Sequence, residues 1–292
     1  MADHFADRLL AAIERKRSPV CVGLDPVVDR LPDELRRAAP LAGIETFCRE
    51  VLQVVAPSVA AVKIQSAYFE LHGAGGVDLY FRLVREAREL GLIVIGDVKR
   101  GDIGSTAEAY AAGHLAGEDA PDAVTVNGYF GSDGVQPFVD AACANGRGVF
   151  ILVRTSNPSA AALQDVTDTS GKKLFEHVAD MVAALGADVT VGQRGYSCVG
   201  AVVGATWPDE ARALRKIMDR QIFLVPGYGA QGATAADCAA SFSSEGAGAI
   251  VNASRSVIYA FRDQRYADRP WRDAVGEAAR EFAADLAAAV GL

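Results

Sequence analysis

The sequence is short of the residues that build metal and redox centres. Its four histidines, His4, His72, His114 and His177, are dispersed, and no two have metal-ligand spacing. The five cysteines (Cys21, Cys48, Cys143, Cys198 and Cys238) are odd in number, scattered, and never in CxxC spacing. That pattern fits reduced core thiols and excludes a disulfide framework or a cysteine-based zinc site. No run of about 18 uncharged apolar residues occurs, so no membrane span is expected. The opening stretch MADHFADRLLAAIERKR mixes acids and bases on an amphipathic helical pattern and lacks a signal-peptide layout, so a cytoplasmic location is expected. Excess positive charge is absent too. A net charge of −8 argues against broad nucleic-acid or anionic-membrane binding, although a few placed cations and backbone donors can still hold a phosphate.

Half of the 292 residues are hydrophobic, and they are arranged in a regular alternation. Short continuous apolar runs fall at 19–25, 60–65, 92–99, 123–129, 148–155, 199–206, 222–228 and 248–254. Continuous rather than alternating hydrophobicity predicts parallel strands covered on both faces. Between them lie segments of helical period near 44–57, 77–91, 105–118, 132–145, 171–186, 208–219 and 234–241, with a terminal helix near 271–290. Ser132 and Asp133 read as a start signal for the fourth of these, and Pro208 suits the first turn of the sixth. Eight strands alternating with eight helices predict a single α/β domain, a (β/α)8 TIM barrel over residues 1–292. A doubly wound open sheet is the runner-up, because counting strands does not prove closure. No repeat, low-complexity tract or linker divides the chain. The longest irregular piece, 157–170, would follow strand five on the catalytic face, as a lid or a plain surface insertion.

Unusual polar residues recur where these runs end, which is where barrel enzymes build their sites. Asp25 follows the first run and Lys63 lies in the second. Asp97, Lys99 and Asp102 close the third, Asn127 the fourth and Ser156 the fifth. Gln231 follows the seventh and Arg255 the eighth. Only six of the 29 basic residues are lysines, yet Lys63 and Lys99 both sit within apolar strands, where lysine is normally excluded. Asp97 and Lys99, two apart on a strand, are expected to project to one side. The segment Pro226-Gly-Tyr-Gly-Ala-Gln-Gly232 supplies backbone donors and the Gln231 amide, and Asn252-Ala-Ser-Arg-Ser256 supplies the Arg255 fork. Loops after strands seven and eight are the recurrent phosphate location of this barrel.

These residues carry a resemblance. The series Asp97-x-Lys99-x-x-Asp102-Ile103, with Gly23-Leu-Asp25, Val62-Lys63, Arg154-Thr-Ser156-Asn-Pro158, Gly229-Ala-Gln231-Gly and Ser254-Arg255-Ser, resembles the orotidine 5′-phosphate decarboxylase family, in its longer bacterial branch. The match runs from the first strand to the eighth. It implies a (β/α)8-barrel homodimer with shared active sites that converts orotidine 5′-phosphate to UMP and CO2 without metal or organic cofactor. Lys99 would protonate C6 of the pyrimidine as CO2 departs. Asp97 would sit near the substrate carboxylate, and Lys63 would pair with the carboxylates and contact the ribose. Asp25 would hold a ribose hydroxyl, and Ser156 would bond the pyrimidine ring. Gln231 and Arg255 would hold the phosphate, while Asp102 and Thr106 would reach the partner subunit's site. No role is assigned to Asn127, and the lid residues within 157–198 do not align.

Two alternatives stand beside this reading. Metal-dependent relatives such as 3-keto-gulonate-phosphate decarboxylase and hexulose-phosphate synthase share the acid-lysine-acid series but carry a glutamate where this chain has Lys63, whose charge would repel a metal. A non-catalytic phosphate-binding barrel would keep Gln231 and Arg255 but need not keep Lys63, Asp97, Lys99 and Asp102.

Overall fold

A computed structural model describes residues 4–229 and 232–292. Eight parallel strands pair in sequence order and close, β1 against β8, into a barrel. They are β1 (Val20–Leu24), β2 (Ala61–Gln65), β3 (Ile93–Arg100), β4 (Ala123–Val126), β5 (Gly148–Arg154), β6 (Val199–Val203), β7 (Phe223–Pro226) and β8 (Ala249–Ala253). All eight predicted runs are strands, and the closure rules out the open sheet. Most strands stop one to three residues before their apolar runs do, because the polar residues at those ends turn into the loops that form the site. The register sets Lys63 of β2 opposite Gly23 of β1 and Ile95 of β3, and Gln65 opposite Asp97.

The main helices are α1 (Phe5–Lys16), α2 (Pro40–Val55), α3 (Gly73–Glu89), α4 (Gly104–Leu115), α5 (Gly131–Ala144), α6 (Leu174–Leu185), α7 (Pro208–Ile217), α8 (Ala235–Ala239), α9 (Arg255–Ile258) and α10 (Trp271–Val290). Their apolar stripes explain the packing. In α2, Ile44, Phe47, Val51 and Val55 recur at helical spacing and are buried, with Phe47 set 5.4 Å from Trp271 of α10. Helix α7 opens on Pro208, as its sequence predicts. Helix α5 begins at Gly131, so Ser132 and Asp133 lie in its first turn and neither caps it. Gly131 (φ +80°) makes the turn that an ordinary capping residue would otherwise make.

Helix α1 closes the N-terminal end of the barrel. Phe5 packs edge-on to Phe150 at 5.8 Å and lies so close to Gly148 that a Cβ there would fall 2.3 Å from the ring. The segment after β5 is partly ordered into short turns at Pro158–Ala160 and Ala161–Gln164 and an antiparallel bridge between Thr167 and Lys173. Four of the five cysteines are buried. Cys143 corrects the core-thiol expectation: it is exposed, at the end of α5, with its Sγ 3.6 Å from that of Cys198. Among the described residues no helix is long and apolar enough to cross a membrane.

Candidate active site

The site begins with an irregularity in β3. Pairing with β4 shifts register between Gly96 and Arg100, and Lys99 takes φ +44°, a left-handed conformation rarely adopted by a side-chain-bearing residue. The Lys99 amide donates to the Thr125 hydroxyl at 3.0 Å. Asp97 and Lys99 face the same cavity, as the sequence predicts, but from a distorted strand end rather than by plain alternation. The distorted backbone half-exposes Lys99, and its side chain returns to place Nζ 2.5 Å from Asp97 Oδ1. A strained residue held by a side-chain hydrogen bond at the end of a rigid strand is the kind of departure that accumulates at functional positions.

Asp97 is the hub. Its Oδ2 accepts from Lys63 Nζ at 2.7 Å and Gln65 Nε2 at 3.0 Å, and its Oδ1 accepts from Lys99 and from the Thr125 hydroxyl at 2.9 Å. Asp97 and Lys63 are each only 6% exposed, so charge pairing decides their state. Burial alone would raise the Asp97 pKa, but the Lys63 and Lys99 ammonium groups outweigh it and hold the carboxyl well below the usual carboxylate range. Burial would likewise lower the Lys63 pKa, but Asp97 and Asp25 overcome it and push the pKa up. The Asp97–Lys63 pair is thus charged throughout the physiological range.

Above the cluster lies a cavity of about 410 Å³, lined on its polar side by Lys63, Asp97, Lys99, Thr125, Ser156 and Asn252 and elsewhere by Leu152, Val202, Leu224 and Pro226. A smaller cavity of about 180 Å³ adjoins it, shares Lys63, Asp97, Pro226 and Asn252, and reaches Asp25, Gly227, Ser254 and Arg255. The pair forms one continuous groove, broad and mostly apolar at one end, smaller and more polar at the other. Two buried oxygens along it have no hydrogen-bond partner among the described residues, Asp25 Oδ1 and Asn252 Oδ1. Asp25 Oδ1 stands 3.8 Å from Lys63 Nζ, near enough for attraction but too far for a hydrogen bond. Buried polar atoms are normally satisfied, so these are places for a ligand to complete.

Ser156 reaches the cavity because its neighbours pin the end of β5. Arg154 is completely buried and pairs with Glu210 at 2.6 Å and Asp165 at 3.0 Å, with its guanidinium over the Trp207 ring at 4.2 Å. Trp207 Nε1 donates to the Thr155 carbonyl at 3.1 Å, and the Gln164 side chain bonds both the Thr155 amide and hydroxyl.

Eight of the nine candidate residues have clear positions relative to the groove. Lys63, Asp97, Lys99, Asp25, Ser156 and Arg255 line it. Asp102 does not: its Oδ1 accepts from the Ile103 amide, outside both cavities of this chain. Thr106, the eighth, is exposed on α4 and also lies away from the groove. Gln231, the ninth, lies outside the described residues. Asn127 caps the turn at 128–130 by accepting from the Tyr129 amide, a structural task. Sequence reasoning missed Gln65, Thr125 and Asn252. Each had a signal: Gln65 shares a strand face with Lys63, and Thr125 and Asn252 are polar residues inside apolar strands.

The chain matches the family model described as the orotidine 5′-phosphate decarboxylase / HUMPS family over residues 18–269. It is 41% identical over 288 residues to the orotidine 5′-phosphate decarboxylase of Rhodopirellula baltica, covering 93% of this chain and 95% of that one. It is 42% identical over 260 residues to the enzyme of that name from Deinococcus radiodurans, covering 89% and 91%. In structure it superposes with TM-score 0.78 on the Leishmania donovani OMP decarboxylase, 29% identical, over 99% of each chain. A Streptomyces avermitilis crystal structure, 35% identical, gives TM-score 0.85 over 100% of this chain and 98% of that one. The chain belongs to the orotidine 5′-phosphate decarboxylase family.

Proposed function

We propose that this member of the family decarboxylates orotidine 5′-phosphate to UMP and CO2, the last step in making UMP, with Lys99 as the proton donor. The observation that carries the proposal is the Asp97 carboxylate clamped between Lys63 and Lys99 at the floor of a nucleotide-sized groove. As the bond from C6 to the carboxylate breaks, CO2 leaves and the electron pair stays on C6. The Lys99 ammonium, fixed by Asp97, stabilises that charge and then delivers a proton to C6, leaving UMP. Asp97 aims Lys99, and Lys63 helps keep Asp97 ionised.

One ammonium cannot remove the roughly 20 kcal/mol of barrier that very slow reactions demand. Binding along the groove contributes the rest. In this reading the broad end takes the pyrimidine against Ser156, Asp25 and Lys63 take the ribose, and Arg255 with Gln231 takes the phosphate. The position of Asp102 and Thr106 outside their own groove supports a role in a neighbouring subunit's site. So does the surface around them. The exposed large hydrophobic residues Leu71, Val77, Ile103, Tyr110, Tyr129 and Phe130 lie on the segments following β2, β3 and β4. An apolar face of that kind suits a two-fold interface between copies of the chain.

The family description also spans the HUMPS branch, and Lys63 favours the decarboxylase over metal-dependent relatives. Its ammonium occupies the space between Asp25 and Asp97 that a divalent cation would need. The test is direct: orotidine 5′-phosphate should be consumed with release of one CO2, with activity surviving EDTA. No turnover of purified, folded protein would overturn the proposal, and activity lost to EDTA and restored by Mg2+ would point to the relatives.

A further inference from the structure

The loop after β1 is tied to α9 by one side chain. The Tyr259 hydroxyl donates to the Asp25 carbonyl at 3.0 Å and accepts from the Val27 amide at 2.7 Å, so it bonds the backbone on both sides of Pro26. Tyr259 is 6% exposed, and its ring stacks on Phe47 at 5.8 Å with planes 10° apart. Burial pushes its phenol pKa upward, so the hydroxyl keeps the proton it donates. The ring sits four residues after Arg255, immediately beyond the helix that Arg255 opens. The Asp25 backbone is therefore anchored, while Asp25 Oδ1 is buried and has no hydrogen-bond partner among the described residues. A group held rigidly and left unsatisfied is preorganised for a ligand.

We propose that Tyr259 is a positioning residue: its hydroxyl fixes Asp25 relative to Arg255, so that the carboxylate meets a ribose hydroxyl when the phosphate is seated. This rests on the ribose and phosphate assignments proposed above. Tyr259 touches no part of the groove itself and acts only through Asp25.

The test is a double-mutant cycle read by UMP affinity in calorimetry, which does not require catalysis. Tyr259→Phe removes only the hydroxyl and keeps the ring on Phe47; thermal melts establish that each variant is folded. Losing both hydrogen bonds should weaken UMP binding about tenfold in the otherwise native chain, and by less than about twofold once Asp25→Ala has removed the group being positioned. Equal losses in the two backgrounds would overturn the proposal, because a general loosening of the fold weakens both alike. An unchanged affinity for Tyr259→Phe in the native background would overturn it too. If the native chain neither binds UMP nor turns over orotidine 5′-phosphate, it is the decarboxylase reading that fails.

Discussion

Two buried aspartates sit at opposite ends of the barrel, and their surroundings differ instructively. Asp122, just ahead of β4, is 2% exposed, and Asp97, near the far end of β3, is 6% exposed. Both need compensating charge, because a buried lone carboxylate is prohibitively costly. Asp122 obtains it from arginines. Arg8 binds Oδ1 at 2.7 Å, Arg147 approaches to 3.8 Å, and the Val94 amide donates to Oδ2 at 2.9 Å. Arg147 in turn donates to the carbonyls of Ala120 and Pro121. The planar forks of Arg8 and Arg147 bond backbone and carboxylate together, which ties α1, β3 and β4 at the closed end. Asp97 obtains its charge from lysines. These are point charges on flexible stems, and one of them, Lys99, remains half-exposed toward the cavity. The first arrangement spends its cations on fixed structural contacts, and the second presents an ammonium to a cavity. Burial and charge do not tell these two aspartates apart; the accessibility of the paired cation does.

The sharpest break of this comparison is Lys99→Ala, which should lower turnover on the order of 10⁴-fold or more while leaving the fold and UMP binding in place. Near-normal turnover would mean that the half-exposed lysine is not the proton donor. Next comes the second half of the same stretch. Lys99→Ala and Asp102→Ala proteins should each be inactive, but a one-to-one mixture after subunit exchange should recover about a quarter of native activity. Random pairing makes half the dimers hybrid, and each hybrid holds one intact site of two. No recovery after demonstrated exchange would place Asp102 in its own chain's chemistry.

At the closed end, Asp122→Ala should cost about 3–5 kcal/mol of stability by leaving buried arginines unpaired. Urea unfolding would measure it, and kcat of the folded fraction should be unchanged. A fall in kcat without loss of stability would erase the distinction between the two aspartates. The smallest effect is on pH dependence. Because pairing depresses the Asp97 pKa, its stabilising contribution is complete above the unfolded value of about 3.9 and is lost as pH falls below it. The Lys63 pKa is raised, so its contribution is complete below about 10.4 and is lost as pH climbs beyond. Between about pH 5 and 9 the cluster should add no slope to the unfolding midpoint, and Asp97→Asn should blunt the acid loss. An Asp97-dependent decline beginning above pH 5 would contradict the depressed carboxyl.

The sequence by itself determined the eight strands, because continuous apolar runs bounded by polar turns have few other stable uses. It also marked Lys63, Asp97, Lys99 and Arg255, since charged residues at apolar strand ends are costly unless they serve something. It did not reveal Asn252 and Gln65, whose importance depends on which neighbour the closed barrel brings near. Nor did it disclose the bulge at Lys99, because a register shift is a relation between two strands. Tyr259 reads as an ordinary core aromatic until its hydroxyl is found 234 positions away from its chain-local context, against the Asp25 carbonyl. Local pattern follows from burial, which each residue type expresses by itself. The division between Asp97 and Asp122, one serving a cavity and the other a closed end, depends on contacts between distant segments, and only the closed barrel decides those.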